Sequence, residues 1–515
     1  MLVSALAPLL TAGFAAAFVL PESLRLNKID IDSFYPESLK DVASAVENVE
    51  HIVDALTHPF TPDPEDKTVY ELIAANPEFS KLLKVIDFAG EPIVDLLNST
   101  DANFTVFAVP NSGLRHPGHD EDLAAGLMSG DAEYDLVDIS NAVEGLEAQD
   151  DDDDDHKKER REFFKKLAQA VLLYHVVPER AFTSSELAVN TTFATKLSLP
   201  DDSFKGEPLR VRVAATPPFK TLVVNFYAKV IKSNVYASNG IVHVINHPLF
   251  PPPSIFQELF QLPSTFSIAS TALQRTNLHN FVEWRYEPSE DKDGEGSVKG
   301  NPAVTFFAPD HSAFKRLPTK LALFLFSPFG EHVLKKVLAY HIVPNYVLHT
   351  DYAFNVTTGE EVIFGPPKDS EDTSTNWLQS LYPASESSSS SSSHPPHPPP
   401  HAPPTYYSFN IHPGTLLGSN HTLDISVTKR VLKSPLPGHG HPDTYLTHFE
   451  VDGERVVVSD GPARNGAVHA IGKVLDPRGR KHGRHCGHEA VYEQEEYNWE
   501  DWEEWLPAWA AGVEF

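Results

Sequence analysis

Histidine is the residue with which this chain is best equipped to do chemistry: 25 histidines stand against a single cysteine, Cys486, in 515 residues. Imidazole acts as a general base, a metal ligand or a pH-dependent charge. Each histidine cluster is therefore weighed for all three. Near the C-terminus, His485, Cys486 and His488 lie together in Lys481-His482-Gly483-Arg484-His485-Cys486-Gly487-His488-Glu489. These residue types bind zinc or copper. A four-coordinate site draws on two separated ligand pairs, however, and Lys481 and Arg484 repel a cation. A disordered tail is the expectation, and no metal or other cofactor is predicted. His394, His397 and His401 stand among prolines, with His412, His439 and His441 further on. That stretch gains positive charge below about pH 6.5, but a spacer is the expectation. The run Asp150 to Asp155 lacks the glycine and spaced oxygen ligands of a calcium loop. It reads as a solvated acidic loop. The cluster Lys157-Lys158-Glu159-Arg160-Arg161 behind it suits a trypsin-like processing protease.

The remaining histidines of interest come in matched pairs. Tyr174-His175 and Tyr340-His341 each precede a Val-Val-Pro or Ile-Val-Pro. A binding role for Tyr174, His175, Tyr340 and His341 is weighed against a structural one, in which the imidazole bonds Asn111 or Asp310 and locks a helix to a strand. The structural role is favoured. His243 and His469 sit mid-strand between apolar neighbours, with one strand face expected to be polar or solvated. No nucleophile or acid stands beside them in the pattern. Gly-x-Ser-x-Gly, His-Glu-x-x-His, phosphate-loop and dinucleotide motifs are absent from the sequence. The expectation is a non-enzyme without catalytic residues.

The elements that position these residues follow from local pattern. Phe104 to Ala108 is a short apolar run ended by Pro110, read as a buried strand. Phe164, Leu167, Val171 and Leu172 form a helical stripe, and Val333, Val337 and Leu338 repeat its last three positions. Asn-Gly at 239–240 and 465–466 fits a tight hairpin turn in which both residues take positive φ. Thr221 to Lys232 and Leu423 to Val431 read as strands. Val69 to Phe88 and Ser254 to Trp284 read as helical openings. Helices at the front and strands at the back make an α+β architecture.

Three boxes recur in order. Phe104-Thr105-Val106-Phe107-Ala108-Val109-Pro110-Asn111 returns as Val304-Thr305-Phe306-Phe307-Ala308-Pro309-Asp310. Leu172-Leu173-Tyr174-His175-Val176-Val177-Pro178 returns as Leu338-Ala339-Tyr340-His341-Ile342-Val343-Pro344. Asn239-Gly240-Ile241-Val242-His243-Val244-Ile245 returns as Asn465-Gly466-Ala467-Val468-His469-Ala470-Ile471. Such a repeat predicts two homologous domains. The spacing from Thr105 to His175 is 70 residues, against 36 from Thr305 to His341. An acidic insertion at about 115–160 accounts for the excess. The spacing from His175 to His243 is 68, against 128 from His341 to His469. A Ser/Pro/His-rich insertion at about 366–404 lies in that gap. Low-complexity composition of this kind does not pack a core, so both insertions are expected to be disordered.

The boxes resemble those of the fasciclin domain family: Thr-Val-Phe-Ala-Pro-Asn/Asp-x-Ala-Phe, then Tyr-His, then Asn-Gly-x-Val-His-x-Ile. Domain two follows the first box through Asp310, Ala313 and Phe314, whereas domain one has Gly113-Leu114 where Ala-Phe is expected. The resemblance implies two tandem fasciclin-type β-wedge or sandwich domains with small helices. It also implies adhesion, matrix or cell-wall roles, for which the Tyr-His residues have been proposed as a surface. A fungal, secreted origin suits the style of the chain.

Composition bounds the partners. The net charge is −30, which opposes nucleic acid and anionic membranes. One cysteine excludes an intrachain disulfide. Leu2 to Leu20 is apolar and ends near Ala15-Ala16-Ala17, a signal peptide over 1–17. No later run is long enough to span a bilayer. Asn-x-Ser/Thr occurs at Asn98, Asn103, Asn190, Asn355 and Asn420, predicted glycosylation sites on a secreted chain. The division expected is 18–67 as an N-terminal segment, 68–253 and 254–478 as the two domains, and 479–515 as an acidic aromatic tail. In that tail Trp502, Trp505 and Trp509 share a helical face. It either docks a partner or folds back on domain two. The functional expectation is a secreted or cell-surface glycoprotein that binds a matrix, cell-wall or cell-surface protein or glycan. The alternatives are a vacuolar or endomembrane luminal protein supporting membrane trafficking, and an unrecognised hydrolase.

Overall fold

A computed structural model describes residues 67–114, 155–216, 221–287, 297–364, 405–432, 444–478 and 499–513. The signal segment, the acidic run up to Asp154, the Ser/Pro/His insertion and the His485, Cys486, His488 cluster lie outside the described residues.

Domain one opens on helices α1 (Val69–Ala75), α2 (Ser80–Ala89) and α3 (Glu91–Asn98). Thr68 caps α1 in a capping box with Glu71, which satisfies two orphan N–H groups. Pro92 falls in the first turn of α3, where its missing N–H costs nothing. Strand β1 (Phe104–Ala108) follows, then α4 (Asp155–Tyr174), β2 (Val176–Val177), α5 (Ser184–Leu187), β3 (Thr192–Ala194), β4 (Arg210–Thr216), β5 (Thr221–Val224), β6 (Ala228–Ala237) and β7 (Gly240–Ile245). They form one seven-stranded sheet in the order β2-β1-β7-β6-β5-β4-β3. The first and last strands of the repeat, β1 and β7, pair in parallel, one strand in from the β2 edge, from Phe104 opposite Gly240 to Ala108 opposite Val244.

Domain two repeats the plan. Helices α6 (Ile255–Gln261), α7 (Pro263–Arg275) and α8 (His279–Val282) precede the hairpin β8 (Trp284–Glu287) and β9 (Ser297–Gly300). Then come β10 (Val304–Pro309), α9 (His311–Lys315), α10 (Thr319–Leu325), α11 (Glu331–Tyr340) and β11 (Ile342–Pro344). A three-stranded sheet, β12 (Tyr346–His349), β13 (Tyr352–Asn355) and β14 (Glu360–Ile363), replaces the simple α5–β3 passage of domain one. The strands β15 (Thr405–Ile411), β16 (Gly414–Thr415), β17 (Gly418–Thr422), β18 (Ile425–Leu432), β19 (Thr444–Val451), β20 (Glu454–Ala463) and β21 (Gly466–Ile471) complete it. Its main sheet runs β11-β10-β21-β20-β19-β18-β15, again with the parallel pair, β10 and β21, one strand in from the edge. The fold is α+β, with each sheet covered by its small helices.

The helical stripe of α4 is buried at Phe164, Leu167, Val171 and Leu172. Four sequence expectations need correction. Helix α4 begins at Asp155, so 155–160 is helix and not a disordered loop. Thr221 to Lys232 is two strands, because Asn225 and Phe226 take φ of 46° and 70° and turn the chain. Trp284 opens a strand instead of closing a helix. The tail is not wholly irregular. Helix α12 (Trp502–Gly512) buries Leu506 and Ala510 against domain two, and Lys336 Nζ donates to Ala510 O and Val513 O at its C-terminal end. A cation at the carbonyl end of a helix is favourable in charge as well as in hydrogen bonding. Trp502 stacks on Phe324 and Arg478 lies over Trp505. Of the two readings of the tail, it is the folding back on domain two that the structure shows. Among the described residues no helix is long and apolar enough to cross a membrane.

Candidate functional site

The Tyr-His pairs lie in the interior. Each ends a helix, α4 or α11, and His175 and His341 are buried. His175 Nδ1 donates to Val171 O at 2.7 Å, and its Nε2 accepts the Leu249 N–H at 2.9 Å. His341 repeats both bonds with Val337 O at 2.8 Å and Leu475 N–H at 2.9 Å. Each imidazole thus ties the last turn of a helix to the segment that leaves the closing strand. Burial pushes both pKa values down to about 4 against the opposing pull of the helix carbonyl, which keeps the rings neutral. Neither Asn111 nor Asp310 is the partner of these rings. Asn111 instead accepts from Lys81 N–H and donates to Pro77 O, and Asp310 caps α9 through Ala313 N–H. A helix carbonyl four residues back already satisfies the ring, so no side chain is needed.

His243 and His469 are fully buried, so the expectation of a polar or solvated strand face is also corrected. Phe107 packs against His243, and Phe307, Phe449 and His349 pack around His469. His243 Nε2 donates to Phe182 O at 2.9 Å and Nδ1 faces Asn234 N–H at 3.4 Å. His469 Nε2 donates to Leu348 O at 2.8 Å and Nδ1 accepts Asp460 N–H at 3.0 Å. Asn234 and Asp460 sit at matching bulges with φ of 58° and 63°. Their side chains take matching donors: Asn234 Oδ1 accepts Ser184 N–H at 2.8 Å, and Asp460 Oδ1 accepts Thr350 N–H at 2.7 Å.

The Asn-Gly boxes do close hairpins, but neither asparagine has positive φ. The turn residues are Ser238-Asn239 and Arg464-Asn465, since Ala237 pairs with Gly240 and Ala463 with Gly466. The asparagines are buried clamps. Asn239 Oδ1 accepts Val69 N–H while Nδ2 donates to Leu97 O and Ser99 O. Asn465 does the same for Ile255 N–H, Val282 O and Asn301 O. Glycine is required next because the partner strand passes too close. A Cβ at Gly466 lies 1.9 Å from Val304 O, and one at Gly240 lies 2.3 Å from Phe104 O.

The densest polar cluster was not visible in the sequence. It lies on the seam between the domains. Asp351, buried, accepts Thr191 N–H at 2.9 Å, Thr192 N–H at 2.8 Å and the Thr192 hydroxyl at 2.7 Å. The Arg210 guanidinium lies 3.8 Å over the Tyr352 ring, and its Nε donates to Thr192 Oγ1 at 3.1 Å. Arg212 Nε donates to Ser459 O at 3.0 Å, and Lys429 Nζ donates to Val189 O. A second buried pair joins Arg464 to Asp201, with Arg464 Nε on Ser203 Oγ at 2.9 Å. His349 Nδ1 stands 3.6 Å from Asp460 Oδ1. Burial works against the Asp460 charge, but the imidazole and the Thr350 donors outweigh it and hold the carboxyl below its ordinary range. Burial also lowers the pKa values of Arg210, Arg212 and Lys429, against the pull of Asp351 and Asp460. Apolar packing crosses the same seam, for Tyr352 and Phe354 lie against Phe204 within the core of domain one.

Of the sequons, Asn98, Asn103 and Asn420 are exposed, while Asn190 and Asn355 are half-buried. Asn98 Oδ1 accepts from the Thr68 hydroxyl at 2.7 Å. One groove of about 460 Å³ on domain one runs between Pro77–Phe79 and the β6–β7 face. Glu78 and Lys232 are the charged residues on its walls. Among the described residues no group of three His, Cys, Asp or Glu side chains is arranged to hold a metal ion.

A family model described as the Fasciclin domain matches residues 145–251 and 264–362. The matched segments omit β1 and β21, which pair in parallel with β7 and β10 respectively. Over 180 residues the chain is 28% identical to Stabilin-2 of Mus musculus, covering 34% of this chain and 6% of that protein. Over 143 residues it is 30% identical to Aurofusarin biosynthesis cluster protein S of Gibberella zeae, covering 27% of this chain and 32% of that one. The chain therefore spans less than a third of the length of either relative. A solved structure, the FAS1 domain pair from the insect cell adhesion molecule Fasciclin I, overlaps 78% of this chain and 98% of its own at 15% identity, with a TM-score of 0.26.

Proposed function

We propose, from the premise that this chain belongs to the fasciclin-domain family, that it is a secreted or cell-surface glycoprotein that mediates adhesion to matrix or cell wall. The observation that carries this reading is the buried seam. Asp351 and the Arg464–Asp201 pair join the two domains through hydrogen bonds made by buried charges, and Arg210 stacks on Tyr352 across the same seam. Breaking such a join leaves uncompensated buried charge, which costs several kcal/mol, roughly 3–5. A connector that carries load between two surfaces needs such a join. The motif residues Tyr174, His175, Tyr340 and His341 serve the interior, so the adhesive contacts fall to outer surfaces and loops. Partner recognition by a protein or glycan on those surfaces suits a chain whose net charge is −30.

The test is the fate of the tagged full chain. Recovery in medium or wall with glycosidase-sensitive mobility supports the reading. Recovery without glycans in the cytosol contradicts it, and confinement to vacuoles replaces it with the endomembrane alternative.

A further inference from the structure

Domain two carries a carboxyl group where domain one carries a carboxamide, at the residue that meets the tyrosine of each Tyr-His pair. In domain one, Asn225 Nδ2 donates to the Tyr174 hydroxyl oxygen at 2.8 Å, and that hydroxyl donates onward to Arg210 O at 2.9 Å. Asn225 Oδ1 accepts Arg212 N–H at 2.9 Å. In domain two, Asp452 Oδ1 accepts Asp424 N–H at 2.7 Å, and its Oδ2 lies 2.7 Å from the Tyr340 hydroxyl. Thr422 O lies 3.2 Å from the same hydroxyl. Asn225 and Asp452 hold the same left-handed backbone, φ 46° and 48°, in matching turns.

A tyrosine hydroxyl has one proton to give. With Asp452 ionised, that proton goes to the carboxylate and Thr422 O loses this donor. With Asp452 protonated, its own O–H donates to Tyr340, and Tyr340 donates to Thr422 O. The protonated form thus reproduces the chain that Asn225 builds permanently in domain one. Three elements present charged or titratable groups to Asp452. They are Tyr340 from α11, Asp424 ahead of β18 with His412 Nδ1 3.4 Å behind it, and Asp476 after β21, itself bonded by Arg478. No cationic side chain pairs with Asp452 among the described residues.

We propose that Asp452 is a proton-binding switch in domain two. Neutral in acidic surroundings, it completes the Asp452–Tyr340–Thr422 chain. Its ionisation toward neutral pH breaks that chain and loosens the join between α11, β17 and the β19–β20 turn. Burial first, and then Asp424 and Asp476, raise its pKa from 3.8 to about 6, against the Asp424 N–H and the Tyr340 hydroxyl. The folded value lies above the unfolded one. The contribution is therefore full below the unfolded value and lost as pH rises through about 6. His175, His341 and His469, each lowered to about 4 chiefly by burial, act in the opposite sense and lose stability as pH falls. Asp452 offsets part of that acid loss, and Asn225 gives domain one no such offset.

The experiment is urea unfolding of the full chain across about pH 4.5 to 7.5, beside Asp452→Asn. The histidines are common to both proteins, so the difference isolates Asp452. The unfolding constant of the parent relative to the variant rises roughly thirtyfold from the acidic to the neutral end. Parallel pH profiles overturn the proposal. Asn225→Asp, the reverse exchange, brings a new pH dependence of the same sign into domain one. It decides the matter if Asp452→Asn does not fold, and no added pH dependence there overturns the proposal. In a His412→Gln background the Asp452→Asn difference persists. Its disappearance assigns the titration to the Asp424–His412 pair and overturns the proposal as well.

Discussion

Asp351 reaches across the domain boundary and takes both the backbone N–H and the hydroxyl of Thr192, at 2.8 and 2.7 Å. The carboxylate is out of water and its acceptor sites face donors from the neighbouring domain. Thr192 in turn accepts from Arg210, which stacks on Tyr352, the residue after Asp351. The contact closes a loop of bonds across the seam, so neither domain moves without breaking a charged hydrogen bond.

Asp351→Ala removes the acceptor of the Thr191 and Thr192 N–H groups and of the Thr192 hydroxyl, and takes away one of the carboxylates that act on the buried Arg210 guanidinium. The expected loss is about 3–5 kcal/mol of interdomain stability. Calorimetry checks it: the parent unfolds in one coupled transition, and the variant shows two.

His341→Ala cuts the tie between α11 and Leu475 N–H and opens a cavity. A destabilisation of about 2–4 kcal/mol is expected at neutral pH. The neutral ring contributes above the unfolded value of 6.5 and loses its effect as pH falls toward about 4. Chemical denaturation of parent and variant must therefore converge on acidification. Divergence contradicts the assigned bonds.

Gly466→Ala places a methyl carbon 1.9 Å from Val304 O on a backbone with φ of +137°. The parallel pair of β10 and β21 has to part, at a cost above about 3 kcal/mol. The same change at Gly359, which has open space around it, pays only for its φ of +70°. Melting temperatures of the two variants rank them, with Gly466→Ala far lower.

Leu506→Ala empties the buried centre of α12 beneath Trp502 and Trp505. About 2–4 kcal/mol of local stability is lost. A red shift of tryptophan emission at low urea, before the domains unfold, reads the release of the helix.

The domain repeat was legible because its boxes sit on the strands and helix ends that every copy must form. The four apolar positions of α4 and the apolar run of β1 show their period directly. The partners of the histidines were not legible, because they are backbone groups, Val171 O and Leu249 N–H among them, which carry no residue signature. The clamping role of the asparagines was hidden for the same reason: Asn239 is the turn residue its local pattern suggests, but its carboxamide also bonds α1 and α3 far away in sequence. The seam was hidden further still. Asp351 and Thr192 are 159 residues apart, and nothing in either local pattern marks a buried carboxylate. The matched pairs Asn225 and Asp452, and Asn234 and Asp460, were open to alignment of the repeats. Only the shared left-handed backbone makes their equivalence physical.

The adhesive role is tested most directly by the force needed to detach beads coated with the full chain from isolated wall or matrix surfaces. The account predicts specific adhesion that exceeds that of uncoated beads and falls when Asp351→Ala loosens the seam. Adhesion no greater than that of uncoated beads contradicts it.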